Sequence, residues 1–271
     1  MPMPIARKFW EWRKVWITAP SAAIVVILLR SIGWLQPFEL MALDQFFQLR
    51  PRESADPRIV IVGISEQDIK NLGHWPMYDQ ELALVIRRVK QQQPRAIGLD
   101  LYRDLPIEPG HQELVKVFKT TPNLIGIEKR GGAKDIPIAP PEALAELQQV
   151  GSNDILRDVD NKIRRGFLYW TNAETGDYLE SLGLRLALIY LAQEGIQPQA
   201  ADEDSPNLKL GKAVFPVFES HDGGYVGAEA AGYQMLMNFR GPAQTMTTVA
   251  MTDVMQGKVA ADLFRDRIVL I

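Results

Sequence analysis

The pattern of apolar and polar positions divides the chain into three regimes. Val15 to Leu35 reads VWITAPSAAIVVILLRSIGWL, apolar throughout, with Arg30 its only charge. As a helix this run extends about 31 Å, enough for the hydrocarbon core of a bilayer. Pro20 lies near its start, where a missing N–H costs least. Arg30 lies near its far end, where the long stem can carry the charge to the interface. Trp16 and Trp34 bracket the run in the manner of interfacial anchors. A signal peptide normally has a shorter apolar region and a clean small-x-small cleavage site, and a buried core helix is the other alternative. The expectation is a transmembrane helix over 15–36.

The second regime is helical and half apolar. After Pro37, FELMALDQFFQLR places Leu40, Leu43 and Phe47 on one face, with Asp44 among them. A carboxylate among apolar neighbours needs a partner, so Asp44 is expected to have a structural or coupling role. Residues 37–57 thus read as a membrane-proximal helix and a linker, RPRESADP, broken by prolines.

The third regime alternates between strand and helix. RIVIVGI (58–64), AIGLDLY (96–102) and NLIGIEK (123–129) are short apolar runs of the kind buried on both faces of a parallel sheet. Between them, Leu82, Val85, Ile86 and Val89 follow Asp79 at helical spacing, Leu114, Val117 and Phe118 mark a second helix, and Pro141 opens a third with Leu144 and Leu147. Such alternation predicts an α/β fold, a mostly parallel central sheet covered by helices. Farther on, VGSNDILRDVDNKIRRGFLYW reads as two strands around a solvated polar turn at Asp158–Lys162. A helix with Leu182, Leu186 and Ile189 on its core face follows, with Asp177 and Glu180 at capping-box spacing and Gly195 as its stop. Residues 196–207 form an acidic loop, and LKLGKAVFPV, QMLMNF and RIVLI read as further strands. No internal repeat is evident.

Composition narrows the classes. With 46% apolar and 23% charged residues the chain can bury a sizeable core. A net charge of −3 and a pI near 5.7 argue against a nucleic-acid partner. There is no cysteine, which excludes disulfides and thiolate metal sites. Arg7, Lys8, Arg13 and Lys14 precede the apolar run, and no Lys or Arg follows it until Arg50. That asymmetry places residues 1–14 in the cytoplasm and the rest outside.

Catalytic motifs fail on inspection. Around Gly211–Lys212 a P-loop would need Gly where Pro206 stands and Ser or Thr where Ala213 stands. Ser65 lacks the second glycine of a nucleophile elbow, since Gln67 occupies that place. Gly223, Gly224 and Gly227 do not make a dinucleotide fingerprint. A calcium loop from Asp158 breaks at Lys162 and ends on Tyr169. His74, His111 and His221 have no metal-ligand spacing. No cofactor, metal or catalytic residue is assigned.

What remains is IGLDLYRDLPIEPG, where an apolar strand ends in Asp100, Tyr102, Arg103 and Asp104. Ligands of parallel α/β sheets settle outside the carboxyl ends of strands. Glu66 and Asp68 end the first strand in the same way, and Glu128 and Lys129 the third. If the first two strands are neighbours, Glu66, Asp68, Asp100, Tyr102, Arg103 and Asp104 line one ligand-binding rim, with Arg103 offering an exposed donor fork. The opposing reading makes Asp100 a local cap and pairs Arg103 with Asp104 or Glu66. The mixed charge of the rim suits a polar or zwitterionic small molecule.

The motifs GWLQPFELMALDQFFQLRP, DPRIVIVGISEQDI, HWP, PRAIGLDLYRDLP, QVGSNDI, DVDNKIRRGFLY, SLGLRLALIYLA, MNFRGP and FRDRIVLI, in that order, resemble the CHASE2 domain from Gly33 to Ile271. The resemblance implies an extracytoplasmic sensory module of a bacterial membrane receptor, with residues 58–271 as the sensory domain, expected to be cut at its last strand. It implies a cytoplasmic effector, a cyclase or a protein kinase, in cis or in trans, and makes a homodimer plausible. It supplies no ligand residues. The alternative class is a membrane-anchored extracytoplasmic enzyme using the Asp/Glu rim.

Overall fold

The computed structural model describes residues 5–130, 136–171, 178–202, 206–230, 232–242 and 245–271. The chain divides into two units, residues 1–51 with 218–230, and residues 52–217 with 231–271.

In the first unit, α1 (Ile5–Ser31) runs into a turn at 32–35 and then α2 (Gln36–Leu49). Gly33, at φ +81°, ends α1 in the left-handed conformation that closes a helix. Pro37 opens α2, where it forfeits no helical hydrogen bond. The apolar part of α1, Val15–Ser31, meets α2 at 85°. The single span expected over 15–36 is therefore broken by the turn. Among the described residues, no single helix is long and apolar enough to cross a membrane, although the bent pair together has that length and composition. Arg30 does not project freely: its guanidinium pairs with Glu39 at 3.2 Å and donates to the carbonyl of Gly223 at 2.5 Å. Asp44 is half-buried and partnered.

The second unit contains β1 (Ile59–Gly63), α3 (Glu66–Leu72), α4 (Asp79–Gln91), β2 (Ala96–Gly98), α5 (His111–Lys119), β3 (Leu124–Glu128), α6 (Glu142–Glu146), β4 (Val150–Ser152), β5 (Arg165–Thr171), β6 (Tyr178–Glu180), α7 (Leu182–Ala192), β7 (Pro198–Ala200), β8 (Leu208–Leu210), β9 (Ala213–Phe215), β10 (Tyr233–Leu236), β11 (Thr247–Ala250), α8 (Met251–Gln256) and β12 (Ile268–Leu270). Six strands form one parallel sheet in the order β11-β1-β12-β2-β3-β4. The fold is thus α/β with a mostly parallel six-stranded sheet. The first two strands are not neighbours: β12 inserts between them, with Val269 opposite Val60 on one side and Ile97 on the other. Antiparallel sheets β10-β5-β6 and β7-β8-β9 are appended.

Side chains alternate across the main sheet as the period of a strand requires. Val60, Val62, Ile97 and Val269 meet Leu82, Val85, Ile86, Val117, Phe118, Met251 and Val254, all buried. Ala96, Ile125 and Ile127 face the other way, onto Leu182 and Leu186 of α7. Each fully buried aliphatic side chain contributes about 1.5–3 kcal/mol.

Several local expectations shift. Leu147 is 42% exposed, because α6 stops at Glu146. The N-cap of α7 is Ser181, whose Oγ accepts from the Leu184 N–H at 3.1 Å, while Glu180 belongs to a strand and Asp177 lies outside the described residues. The acidic loop begins as β7, pairs with β8, and its residues 203–205 are outside the described set. The Asp158 turn is not solvated. Asp158 is buried, with Arg164 at 2.8 Å and Arg165 at 2.9 Å, and Arg165 also donates to Gln234 at 2.6 Å. Asp160 takes the other side of Arg164 at 2.6 Å, which holds its carboxyl below the usual range. Two arginines at 5% side-chain exposure demand that much compensation.

Close packing of α7 depends on Gly151 of β4. A Cβ there would lie 2.8 Å from the Leu182 Cα and 3.0 Å from its N, both main-chain atoms that cannot rotate away. Gly151→Ala is expected to cost about 1–3 kcal/mol in urea unfolding, whereas Gly183→Ala, with nothing within 4 Å, leaves stability unchanged or slightly raised. Equal effects from the two would refute this packing.

Candidate ligand-binding site

All six parallel strands discharge their chain at one edge, so the polar residues following them are ordered as the strands are. Thr252 follows β11, Glu66 and Asp68 follow β1, Ile271 follows β12, Asp100 to Asp104 follow β2, Glu128 ends β3, and Asn153 with Asp154 follow β4. Because β12 intervenes, the ends of β1 and β2 are about 10 Å apart, two strand spacings. The rim residues share an edge but form separate clusters.

The first cluster is structural. Asp68, 1% exposed, is the third residue of α3 and completes a capping box with Ser65. One of its oxygens accepts from the Ser65 N–H at 2.8 Å and hydroxyl at 2.5 Å. The other accepts from the Thr252 N–H at 3.0 Å and hydroxyl at 2.6 Å. Burial alone would raise its pKa, but the donors from Ser65 and Thr252 outweigh it and lower the pKa to about 2. Asp68 thereby ties the starts of α3 and α8 together and turns no oxygen to solvent. Glu66, beside it, is exposed.

The second cluster is also turned inward. Arg103, expected as an exposed donor fork, has a side chain only 6% exposed. It donates to the carbonyl of Met77 at 3.0 Å and of Tyr102 at 3.4 Å, and its Nε lies 3.5 Å from Asp79 Oδ1. Its partner is thus neither Asp104 nor Glu66. Asp79, 1% exposed, accepts at Oδ2 from the Ile107 N–H at 3.2 Å and lies 2.8 Å from His111 Nδ1. Burial pushes the Arg103 pKa down, and Asp79 pulls it partly back. The carbonyls of Ile107 and Pro109 accept from the first two N–H groups of α4, at 2.8 and 3.0 Å. Residues 99–110 are therefore fastened to the start of that helix, satisfying donors that a helix terminus leaves open.

The third cluster faces outward. Asp100 is exposed, and its carboxylate accepts from Asn153 Nδ2 at 3.1 Å. The Tyr102 hydroxyl donates to Asn153 Oδ1 at 2.7 Å. Asn153 therefore bridges two candidates across β3, and its N–H bonds the carbonyl of Glu128 at 3.2 Å. Beside it, Asp154 accepts from the Ser152 hydroxyl at 2.5 Å and the Arg130 N–H at 3.0 Å. Asp104 is exposed nearby in sequence. Among the described residues no three His, Asp or Glu side chains gather to hold a metal ion.

A family model for the CHASE2 domain matches residues 21–271. The chain belongs to the CHASE2 family. CHASE2 domains are extracytoplasmic sensory domains. No curated protein and no solved structure matches the chain.

Sequence reasoning did not single out Asn153, although it follows a strand in GSND as Asp100 follows one in GLD. It gave Asp79 and His111 no shared role. The capping residue of α4 is Tyr78, and Asp79 lies just inside the helix. His74 likewise reaches a first-turn acid, Glu81, at 3.0 Å, and stacks on Tyr78 at 3.9 Å. An open cleft of about 490 Å³ lies beside the start of β1, lined by Glu53, Asp56, Arg58 and Arg240. Its arginines are already paired, Arg58 with Asp56 and Arg240 with Glu53, and it is remote from the strand ends.

The depressed pKa of Asp68 has a pH consequence. Its stabilising effect is complete above the unfolded-state value near 3.8 and is lost as pH falls through about 2. Between pH 4 and pH 2 the wild type is expected to lose about 2 kcal/mol more than Asp68→Asn. Parallel stability–pH curves for the two proteins would contradict the Asp68–Thr252 tie.

Proposed function

We propose that this CHASE2 domain is the input of a membrane signal-transduction receptor and that its ligand binds over Asp100, Tyr102 and Asn153. The apolar part of α1 anchors the chain, the basic residues before it stay in the cytoplasm, and the sensory unit lies in the periplasm. A cyclase or protein kinase, in cis or in trans, takes the output, and pairing of two chains suits such effectors. The observation that carries the ligand site is the hydrogen-bonded chain Asp100–Asn153–Tyr102, exposed at Asp100 and half-buried at the other two, at the carboxyl edge of the parallel sheet. Glu66 and Asp104 extend the polar rim, while Asp68 and Arg103 set its frame.

Asp100, Asp104 and Glu66 are all exposed, while the exposed Arg130 after β3 is paired with Glu128, so the unpaired accessible groups are mainly acidic. They suit a small polar ligand carrying an ammonium group, including a zwitterion. One of the contacts that tie the segment 99–110 to α4 is left open. Asp79 Oδ1 and Arg103 Nε are buried yet lack a hydrogen bond, facing each other at 3.5 Å. A second arrangement that closes this contact is favoured by a ligand only if the ligand binds it more tightly.

A thermal-shift panel of small ammonium-bearing solutes tests the site. A binder should raise the melting temperature, and Asp100→Asn should weaken it by about 1.5–3 kcal/mol with little change in the unliganded protein, whereas Tyr102→Phe should weaken it by about 0.5–1.5 kcal/mol and also lose its bond to Asn153 in the free protein. Binding that both variants leave intact would remove the site from this edge.

A further inference from the structure

Two features of the first unit bear on where α2 lies. Ile24, Val25, Val26, Ile27 and Leu28 are five consecutive residues of α1, each more than half exposed. At 100° per residue they sweep more than one full turn, so no single protein face covers them, whereas lipid does. The apolar stretch Val15–Ser31 would extend only about 26 Å, short of a hydrocarbon core of about 30 Å. The shortfall draws the turn at 32–35, with Ile32 and the 73%-exposed Trp34, to the boundary between hydrocarbon and headgroups.

From that boundary α2 leaves at 85°, so a spanning α1 sets α2 parallel to the membrane plane. One face of α2 is turned inward, with Gln36 and Leu40 buried and Leu43, Asp44 and Phe47 half-buried. Its opposite face is as apolar as the first. Phe38, Met41, Phe46 and Leu49 are 54–78% exposed there, beside Ala42, Gln45 and Gln48. The two charged residues of the helix, Glu39 and Asp44, are kept off that face, and Glu39 is engaged by Arg30. A surface helix in water would carry its charges outward.

We infer that α2 lies on the membrane surface, with Phe38, Met41, Phe46 and Leu49 seated in the interfacial layer of the leaflet that α1 leaves. This rests on the reading of α1 as the anchor. A helix so placed does not relay the span as a straight rod. It couples the anchor to residues 218–230 of its own unit through its inward face, where the Gln36 side chain accepts from the Val226 N–H at 3.2 Å, and its seating responds to lipid packing and thickness.

The absence of cysteine makes single labels unambiguous. The full chain, reconstituted into phosphatidylcholine–phosphatidylglycerol vesicles, is labelled with an environment-sensitive fluorophore at Met41→Cys, Leu49→Cys, Leu43→Cys and Ile27→Cys in turn. Quenchers are a nitroxide high on the lipid chain, one deep in the chain, and aqueous iodide. The expected result is loss of emission to the shallow nitroxide at Met41 and Leu49, to the deep one at Ile27, and to neither at Leu43. Iodide quenching at Met41 and Leu49 with lipid quenching at Ile27 would overturn the placement of α2 and leave the anchor standing. Iodide quenching at Ile27 would overturn the anchor and the inference with it. Protection of Met41 and Leu49 from all three quenchers would mean a protein surface, such as a second copy of the chain, covers the face, and would also overturn it.

Discussion

Asp79 is a carboxylate with almost no access to water, placed where β2 delivers its chain to the rim. Its charge has to be compensated by protein, and the compensation comes almost entirely from residues 99–111. Arg103, the Ile107 N–H and His111 converge on it, and the carbonyls of Ile107 and Pro109 close the first turn of α4. The segment after β2 is therefore not a loose loop laid over the sheet. Leaving the buried ion unpaired would cost several kcal/mol, and avoiding that loss offsets part of the cost of ordering these residues. Asp100 is presented to solvent while Arg103 is pulled inward, and Tyr102 between them is half-buried against the α7 side of the sheet.

The second constraint is topological. β12 lies between β1 and β2, so the last strand in the chain is a central strand of the sheet. Ile271 bonds the Gly98 carbonyl at 2.9 Å and accepts from the Asp100 N–H at 2.9 Å. The main chain beneath the rim is thus shared between segments far apart in sequence. The rim divides accordingly: a β11–β1 half locked by Asp68 and Thr252, and a β2–β4 half in which Asn153 leaves Asp100 open to solvent.

Much of this was legible from periodicity. The alternating regime announced a parallel α/β sheet, and Leu82, Val85, Ile86 and Val89 were placed in a core where all four are fully buried. Strand order was not legible, because nothing local to RIVLI says that it inserts between β1 and β2. Nor was TTVA, four residues that pair with β1, since so short a run carries little signal. The Asp158 turn looked solvated because Asp and Asn favour turns. Its burial follows from Arg164, Arg165 and Gln234, the last reachable only through the fold. Arg103 misled for the same reason: its partner is 24 residues earlier in the chain, and charge pattern near Arg103 pointed to Asp104 and Glu66. The break between α1 and α2, by contrast, was written in Gly33 and Pro37, whose stop and start signals were outweighed by unbroken apolarity.

The account depends most on the claim that Asp79 and Arg103 act as one buried pair. A double-mutant cycle measures it directly, with Asp79→Asn, Arg103→Met and the double variant unfolded in urea. The account predicts that each single change costs about 3–5 kcal/mol and that the double variant costs clearly less than their sum, with a coupling of about 2 kcal/mol or more. Costs that add to within about 0.5 kcal/mol would show that the two charges are independent, and the frame of the rim would have to be sought elsewhere.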